Sequence, residues 1–277
     1  MNIFHALLFG ILQGLTEFIP VSSTAHLLIA QNLFGLDTSN KAVFAFNVLV
    51  QLGTLLALIV FFWKDLIEIG KDTLKNLGGL GNFKTLPDNA KLGLYIILAT
   101  IPALLAGVLL KKQVEQLFGL PLTEAAIRLF AAAILLSLAE YFGKRSRKLD
   151  SMNWIDALFI GVMQVIAVFP GASRSGTTIS GGMFRGFERS SAARFAFLMS
   201  VPVMLAAGAY EILDLRKIAD LGSFLPTLAV GFITASIVGW FAIKWLLDYL
   251  NKNSLYVFAA YCAVIGAICL AFQILTQ

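Results

Sequence analysis

"PGASRSGTTISGG", residues 170–182, closes an apolar run over 155–169 that only Asp156 and Gln164 interrupt. It sets a permanent cation, Arg174, among hydroxyls and glycines where hydrocarbon is expected. Lipid cannot satisfy a free backbone, so such a loop must be buried in protein or line a wet cavity. An ionisable side chain at that depth marks a functional site. A second polar turn of the same kind, "IPVSSTAH" at 19–26, interrupts the first apolar segment of the chain.

The 277 residues are 58% hydrophobic and 13% charged. Soluble domains carry roughly 25% charged residues, so this is an integral membrane protein, and no cleavable leader is expected. Six stretches reach the ~20 residues needed to cross a bilayer: 42–63, 92–110, 122–143, 195–213, 221–243 and 254–275. Four others, 2–19, 22–34, 154–169 and 175–187, are too short or broken. They pair about the two polar turns as re-entrant helical hairpins. Cys262 and Cys269 lie in one apolar run and read as packing residues.

The two turns resemble each other. Gly10 and Gly161, Gln13 and Gln164, and Phe18 and Phe169 recur at one constant offset, as does Phe-Ala-Phe at 44–46 and 195–197. Pro20/Pro170 and Ser23/Ser173 match one residue short of it. Each half, approximately 1–143 and 152–277, then reads as a hairpin followed by three crossings. Three is odd, so the second half enters from the opposite face. Placing 64–91, 144–148, 185–194 and 244–252 in the cytoplasm gathers most of the 21 lysines and arginines there, as the positive-inside rule requires. Lys41, Lys111, Lys112, Arg216 and Lys217 fall outside, and Arg128 and Arg174 lie within segments. The net charge of +5 therefore needs no nucleic-acid partner. The expected fold is an all-α polytopic membrane protein, an inverted-topology repeat with six transmembrane helices and two re-entrant hairpins. Such folds place their site near the midplane, where the interrupted segments meet.

The candidate site residues lie at the two turns. Gln13 and Glu17, four apart, share a helix face. Ser22, Ser23 and Thr24 supply hydroxyls at the start of the next helix, and His26 lies a turn beyond Ser23. A carboxylate at mid-membrane costs ~2.5–3.5 kcal/mol on insertion scales and needs a partner; Arg174 or a bound cation would serve. At the second turn, Gly171 and Gly176 permit close backbone approach. Ser173, Arg174 and Ser175 offer donors, and a helix beginning near Ser175, carrying Thr178, aims its positive end at the turn. Arg174 can grip a phosphate through two parallel hydrogen bonds. Two helix starts converging with a guanidinium make a pocket for an anion. Elsewhere, Glu124 and Arg128 read as a structural pair, and Asn47 and Gln51 as interhelical bonds. Glu140 reads as snorkelling to the interface, His5 as interfacial, and Arg185, Glu188, Arg189 and Arg194 as a solvated cytoplasmic edge.

The blocks "QGLTEFIPVSSTAH" (13–26), "VQLGTLLAL" (50–58), "PGASRSGTTISGG" (170–182) and "AARFAFLMSVP" (192–202) resemble the undecaprenyl-diphosphate phosphatase family, the bacitracin-resistance family of bacteria. The resemblance implies a polytopic enzyme of the cell membrane. It would remove the terminal phosphate of a C55 polyprenyl diphosphate and supply the monophosphate carrier for peptidoglycan synthesis. It also implies a homodimer with its site open to the outer face. By position, Glu17, Ser23, His26, Ser173 and Arg174 match the family's functional residues. The family's first acidic position is Gln13 here, which removes one charge from any two-carboxylate metal site.

Two chemistries fit. In one, Ser23 attacks phosphorus while His26 moves its proton, giving a phosphoserine that water hydrolyses. In the other, Glu17 with Mg²⁺ or Ca²⁺ activates water. In both, Arg174 and loop N–H groups stabilise the transferring phosphoryl. The alternative reading is a polyprenyl-phosphate transporter or flippase, since inverted repeats with re-entrant tips are also transporter architecture.

Overall fold

The computed structural model describes residues 1–37, 40–110, 121–167, 173–215 and 221–275. Among them are eleven α-helices: α1 Ile3–Thr16, α2 Ser23–Leu33, α3 Lys41–Phe61, α4 Trp63–Asn76, α5 Asp88–Leu109, α6 Pro121–Phe142, α7 Trp154–Ile166, α8 Arg174–Phe184, α9 Arg189–Leu215, α10 Leu221–Leu250 and α11 Tyr256–Leu275. The only β pairing among the described residues is one isolated bridge, Arg147 with Phe187. Helices α3, α5, α6, α9, α10 and α11 are each long and apolar enough to cross a bilayer. The chain is an all-α, multi-pass membrane protein. Helices α1 and α7, at 14 and 13 residues, extend only ~20 Å, short of the ~30 Å hydrocarbon core.

The two short arms begin alike. Asn2 caps α1 by accepting from the His5 N–H at 2.9 Å. Asn153 caps α7, accepting from Ile155 and Asp156, while Asp156 takes the Asn153 N–H in return. Each short arm turns back on its successor, α1 on α2 and α7 on α8. Each also presses on a crossing of the other half: α1 on α10, α7 on α5. Glycine makes both approaches possible. A Cβ at Gly10 would meet the Gly231 carbonyl oxygen at 2.7 Å, and one at Gly161 the Ala99 oxygen at 2.4 Å. Helices α3 and α9 pack together, as do α6 and α11, and α6 touches both second arms, α2 and α8. Phe18, fully buried at the first tip, sets its ring edge on Phe197 of α9, centroids 5.4 Å apart.

The stretch expected as a loop over 64–91 contains α4, a helix that leaves Trp63, Ile67 and Leu74 exposed beside its charges while Ile69 and Thr73 face α5. Its mixed composition hides it from a search for spans, and it suits the membrane surface. Charges at one end of the bundle also depart from expectation. Glu140 does not snorkel; it is 2% exposed. Arg145 and Arg189 bond its carboxylate at 2.6–2.7 Å, and the Leu255 N–H joins them at 2.7 Å. Asp156, wholly buried, receives Arg147 and Arg185, each at 2.6 Å. Arg185 and Arg189 are therefore ties between helices, not a solvated edge; Arg194 does face outward, to Asp65 on α4 at 2.8 Å.

Burial alone would raise the Asp156 carboxyl, but the hydrogen bonds from Arg147 and Arg185 outweigh it and hold the group below its ordinary value. A folded value below the unfolded one, about 3.9, stabilises above that pH and is lost as pH falls through the folded value. The thermal midpoint in micelles should fall steeply below about pH 4, and less steeply in Asp156→Asn. Replacing Gly161 with Val should cost about 1–3 kcal/mol through overpacking against α5, read as a lowered midpoint at pH 7; an unshifted midpoint would contradict the close approach.

Candidate active site

Helix α1 delivers Gln13 and Glu17 on one face, and the Gln13 amide donates to Glu17 Oε2 at 2.8 Å. The chain then turns tightly, the Val21 N–H reaching the Ile19 carbonyl at 2.7 Å. Ser22 adopts φ +68°, a left-handed conformation that a non-glycine residue keeps only under local constraint. The constraint comes from His26, whose backbone N–H and ring Nδ1 both reach the Ser22 carbonyl, the ring at 2.8 Å. From that turn α2 starts at Ser23, whose hydroxyl donates to Glu17 Oε2 at 2.6 Å. Arg174 of the second tip bonds Glu17 Oε1 through Nη2. Both oxygens of one buried carboxylate thus hold donors from two hairpins.

The second tip is a capped helix start. Ser173 Oγ accepts from the Gly176 N–H at 3.2 Å and lies 3.1 Å from Ser175 Oγ. Thr178 and Thr177 return their hydroxyls to the Arg174 carbonyl at 2.8 and 2.9 Å. Thr178, expected to face a ligand, is instead turned into its own helix. Phe169, Pro170 and Gly171 lie outside the described residues.

A cavity of about 540 Å³ opens on the tips. Its polar end is lined by Glu17, Ser22, Ser23, Thr24, Ser173, Arg174 and Ser175, with Gln51, Arg128 and Gln164 also on its walls. Val48, Leu52, Leu104, Val108, Val203 and Met204 make much of the rest apolar. Helices α2 and α8 both present their N-termini to it, the positive ends of their dipoles. Among the described residues, two guanidinium groups and one carboxylate line it. The arrangement suits a ligand with an anionic head and an apolar body.

The sequence reading gave Ser23's proton to His26, and the structure does not join them. His26 Nδ1 must carry its proton to reach a carbonyl, so Nε2 accepts, and the Tyr261 hydroxyl meets it at 2.8 Å. The two rings stack at 5.6 Å, 4° from parallel. His26 is not among the residues lining the cavity. Sequence offered no sign of Tyr261, a partner 235 positions along the chain. Arg128, expected in a structural pair, and Gln51, expected in an interhelical bond, both reach the cavity wall. Asn47 does bond between helices, to Gln31 at 2.6 Å.

The sequence model of the bacitracin resistance protein BacA family matches residues 6–268. The chain belongs to this family. Among relatives named undecaprenyl-diphosphatase, the one from Chloroherpeton thalassium is 38% identical over 98% of this chain and 96% of its own. That from Methanobrevibacter smithii is 39% identical over 97% and 96%, and that from Caldicellulosiruptor bescii 39% over 99% of each. The BacA match spans both tips, so Glu17, Ser23 and Arg174 all lie within it.

Tyr261→Phe keeps the stacked ring and deletes the hydroxyl on His26. It should cost about 1 kcal/mol, measured as a lower thermal midpoint in micelles; an unchanged midpoint would mean the hydroxyl does not hold His26.

Proposed function

We propose that the chain is an integral-membrane phosphatase that converts undecaprenyl diphosphate to undecaprenyl phosphate and inorganic phosphate. The observation that carries this reading is the trio at the cavity's polar end: a serine hydroxyl on a carboxylate that also holds a guanidinium. A diphosphate arriving there competes with Glu17 for Arg174. Arg174 turns to the phosphoryl oxygens, and Glu17, hydrogen-bonded to Ser23, is left to act as the base. It takes the Ser23 proton as Oγ forms a bond to the terminal phosphorus. The anhydride P–O bond breaks, and the prenyl monophosphate departs with the proton that Glu17 hands on, which leaves Glu17 ionised again. Water then cleaves the phosphoserine, with Glu17 as base, and regenerates Ser23. Arg174 and the N–H groups at the start of α8 hold the developing charge. His26 fixes the Ser22 turn, and thereby Ser23, without touching phosphate.

Among the described residues, Glu17 is the one carboxylate on the cavity wall and no group of three His, Cys, Asp or Glu that could hold a metal occurs. The residues fit a divalent cation only as one shared with the substrate. A Mg²⁺ or Ca²⁺ would take Glu17 and diphosphate oxygens as ligands and supply charge neutralisation at the anhydride.

The repeat halves, approximately 1–143 and 152–277, are supported by the reciprocal packing of α1 on α10 and α7 on α5. The charge bias favours a cell (inner) membrane protein with its site toward the periplasm or exterior. A homodimer is the assembly that the family resemblance favours. Removing undecaprenyl diphosphate, the target that the bacitracin-resistance name implies, would confer the resistance.

Steady phosphate release from undecaprenyl diphosphate in detergent micelles is the expected result, and it excludes transport as the sole activity because micelles enclose no compartments. Ser23→Ala should lower turnover at least a thousandfold, and a brief reaction with label in the terminal phosphate should mark Ser23 in wild type. Activity surviving in Ser23→Ala would sink the serine route.

A further inference from the structure

Gln164 has no role in the steps above, yet it is the least settled polar side chain near them. It is 2% exposed and lines the cavity. Among the described residues, neither its amide nitrogen nor its amide oxygen has a hydrogen-bond partner. A buried amide left so is costly, and native structures keep one where something else completes it. Its counterpart at the repeat offset behaves differently: Gln13 gives its amide to Glu17 at 2.8 Å. Four residues beyond Gln164 the sequence has Val168, so no carboxylate stands where Glu17 stands in the first half. The Gln164 amide therefore sits uncommitted just behind the cavity wall that its residue helps to line. It belongs to the helix that leads to the second tip, and the same cavity receives Arg128 from α6, the helix that touches α2 and α8.

We propose that the Gln164 amide, with Arg128 as the nearby cation, binds the phosphate that remains on the lipid. The inference rests on the phosphatase reading and deepens it. Ser23 and Arg174 handle the terminal phosphate, the one transferred. The second phosphate, one bridging oxygen away, needs donors of its own in a cavity whose walls beyond the polar end are, Gln51 apart, mostly Val, Leu, Ala and Met side chains. An amide N–H and a guanidinium supply them, and the prenyl chain follows along the apolar wall. Gln164 is then a substrate-binding residue for the leaving phosphate. It is also the residue that lets the monophosphate product linger.

Product inhibition isolates this contact, because undecaprenyl phosphate carries only the phosphate in question. Gln164→Met keeps length and flexibility and removes both polar atoms. In micelles its inhibition constant for undecaprenyl phosphate should rise about tenfold or more, as loss of a hydrogen bond to a charged group implies. The KM for undecaprenyl diphosphate should rise with it, while the thermal midpoint holds or increases. Inhibition by inorganic phosphate, which reads the Ser23–Arg174 end, should stay unchanged. An unchanged inhibition constant and KM in a folded Met variant would overturn the inference while leaving the phosphatase reading intact. Absence of phosphate release by wild type would overturn both. Should the Met variant fail to fold, Gln164→Glu preserves the shape and turns an acceptor toward the phosphate. It should weaken product inhibition at least as much, and wild-type inhibition there would overturn the inference.

Discussion

The molecule depends on one ion pair made across two hairpin tips. Glu17 and Arg174 come from opposite halves of the chain, 157 positions apart. Each alone would be a charge inside the bilayer, at ~2.5–3.5 kcal/mol apiece on insertion scales. Together they neutralise each other, and removing one partner of such a buried pair costs ~3–5 kcal/mol. The rest of the architecture can be read as what holds the tips in reach: glycines that let α1 and α7 sink against α10 and α5, Phe18 on Phe197, and arginine clasps on Asp156 and Glu140.

The same pair makes a catalyst poised for an anion. Arg174 occupies one oxygen of the Glu17 carboxylate. On the proposed mechanism, a phosphate that draws Arg174 away frees that oxygen, so the electrophile arrives as Ser23 and its base are left together. The apolar walls on α3, α5 and α9 complement that polar end, as an amphipathic substrate with a diphosphate head requires.

Much of this was legible in the sequence because lipid makes exceptions conspicuous. Arg174 and Glu17 are visible as charges inside apolar runs, and the two Pro-containing turns as breaks that a spanning helix would not contain. All six crossings follow from length and composition. What stayed hidden depends on distance or on amphipathic character. Helix α4 mixes charges with Trp63, Ile67 and Leu74 and resembles a loop. Glu140 looks like an interfacial acid, and Asp156 like a mere break in an apolar run, until the fold brings two arginines to each. His26 looks like the base for Ser23 because of helical spacing alone, yet the partner that fixes its ring, Tyr261, sits on the last helix. Gln164 was visible only as an echo of Gln13, since an unsatisfied amide is a property of its surroundings.

A double-substitution cycle tests the central claim most directly. Thermal stability in micelles would be compared for wild type, Glu17→Gln, Arg174→Gln and the doubly substituted protein. Each single change strands a charge, so the double variant should be less destabilised than the summed singles, with a coupling above about 1 kcal/mol. Additive losses would show that the two side chains do not meet, and would contradict the account.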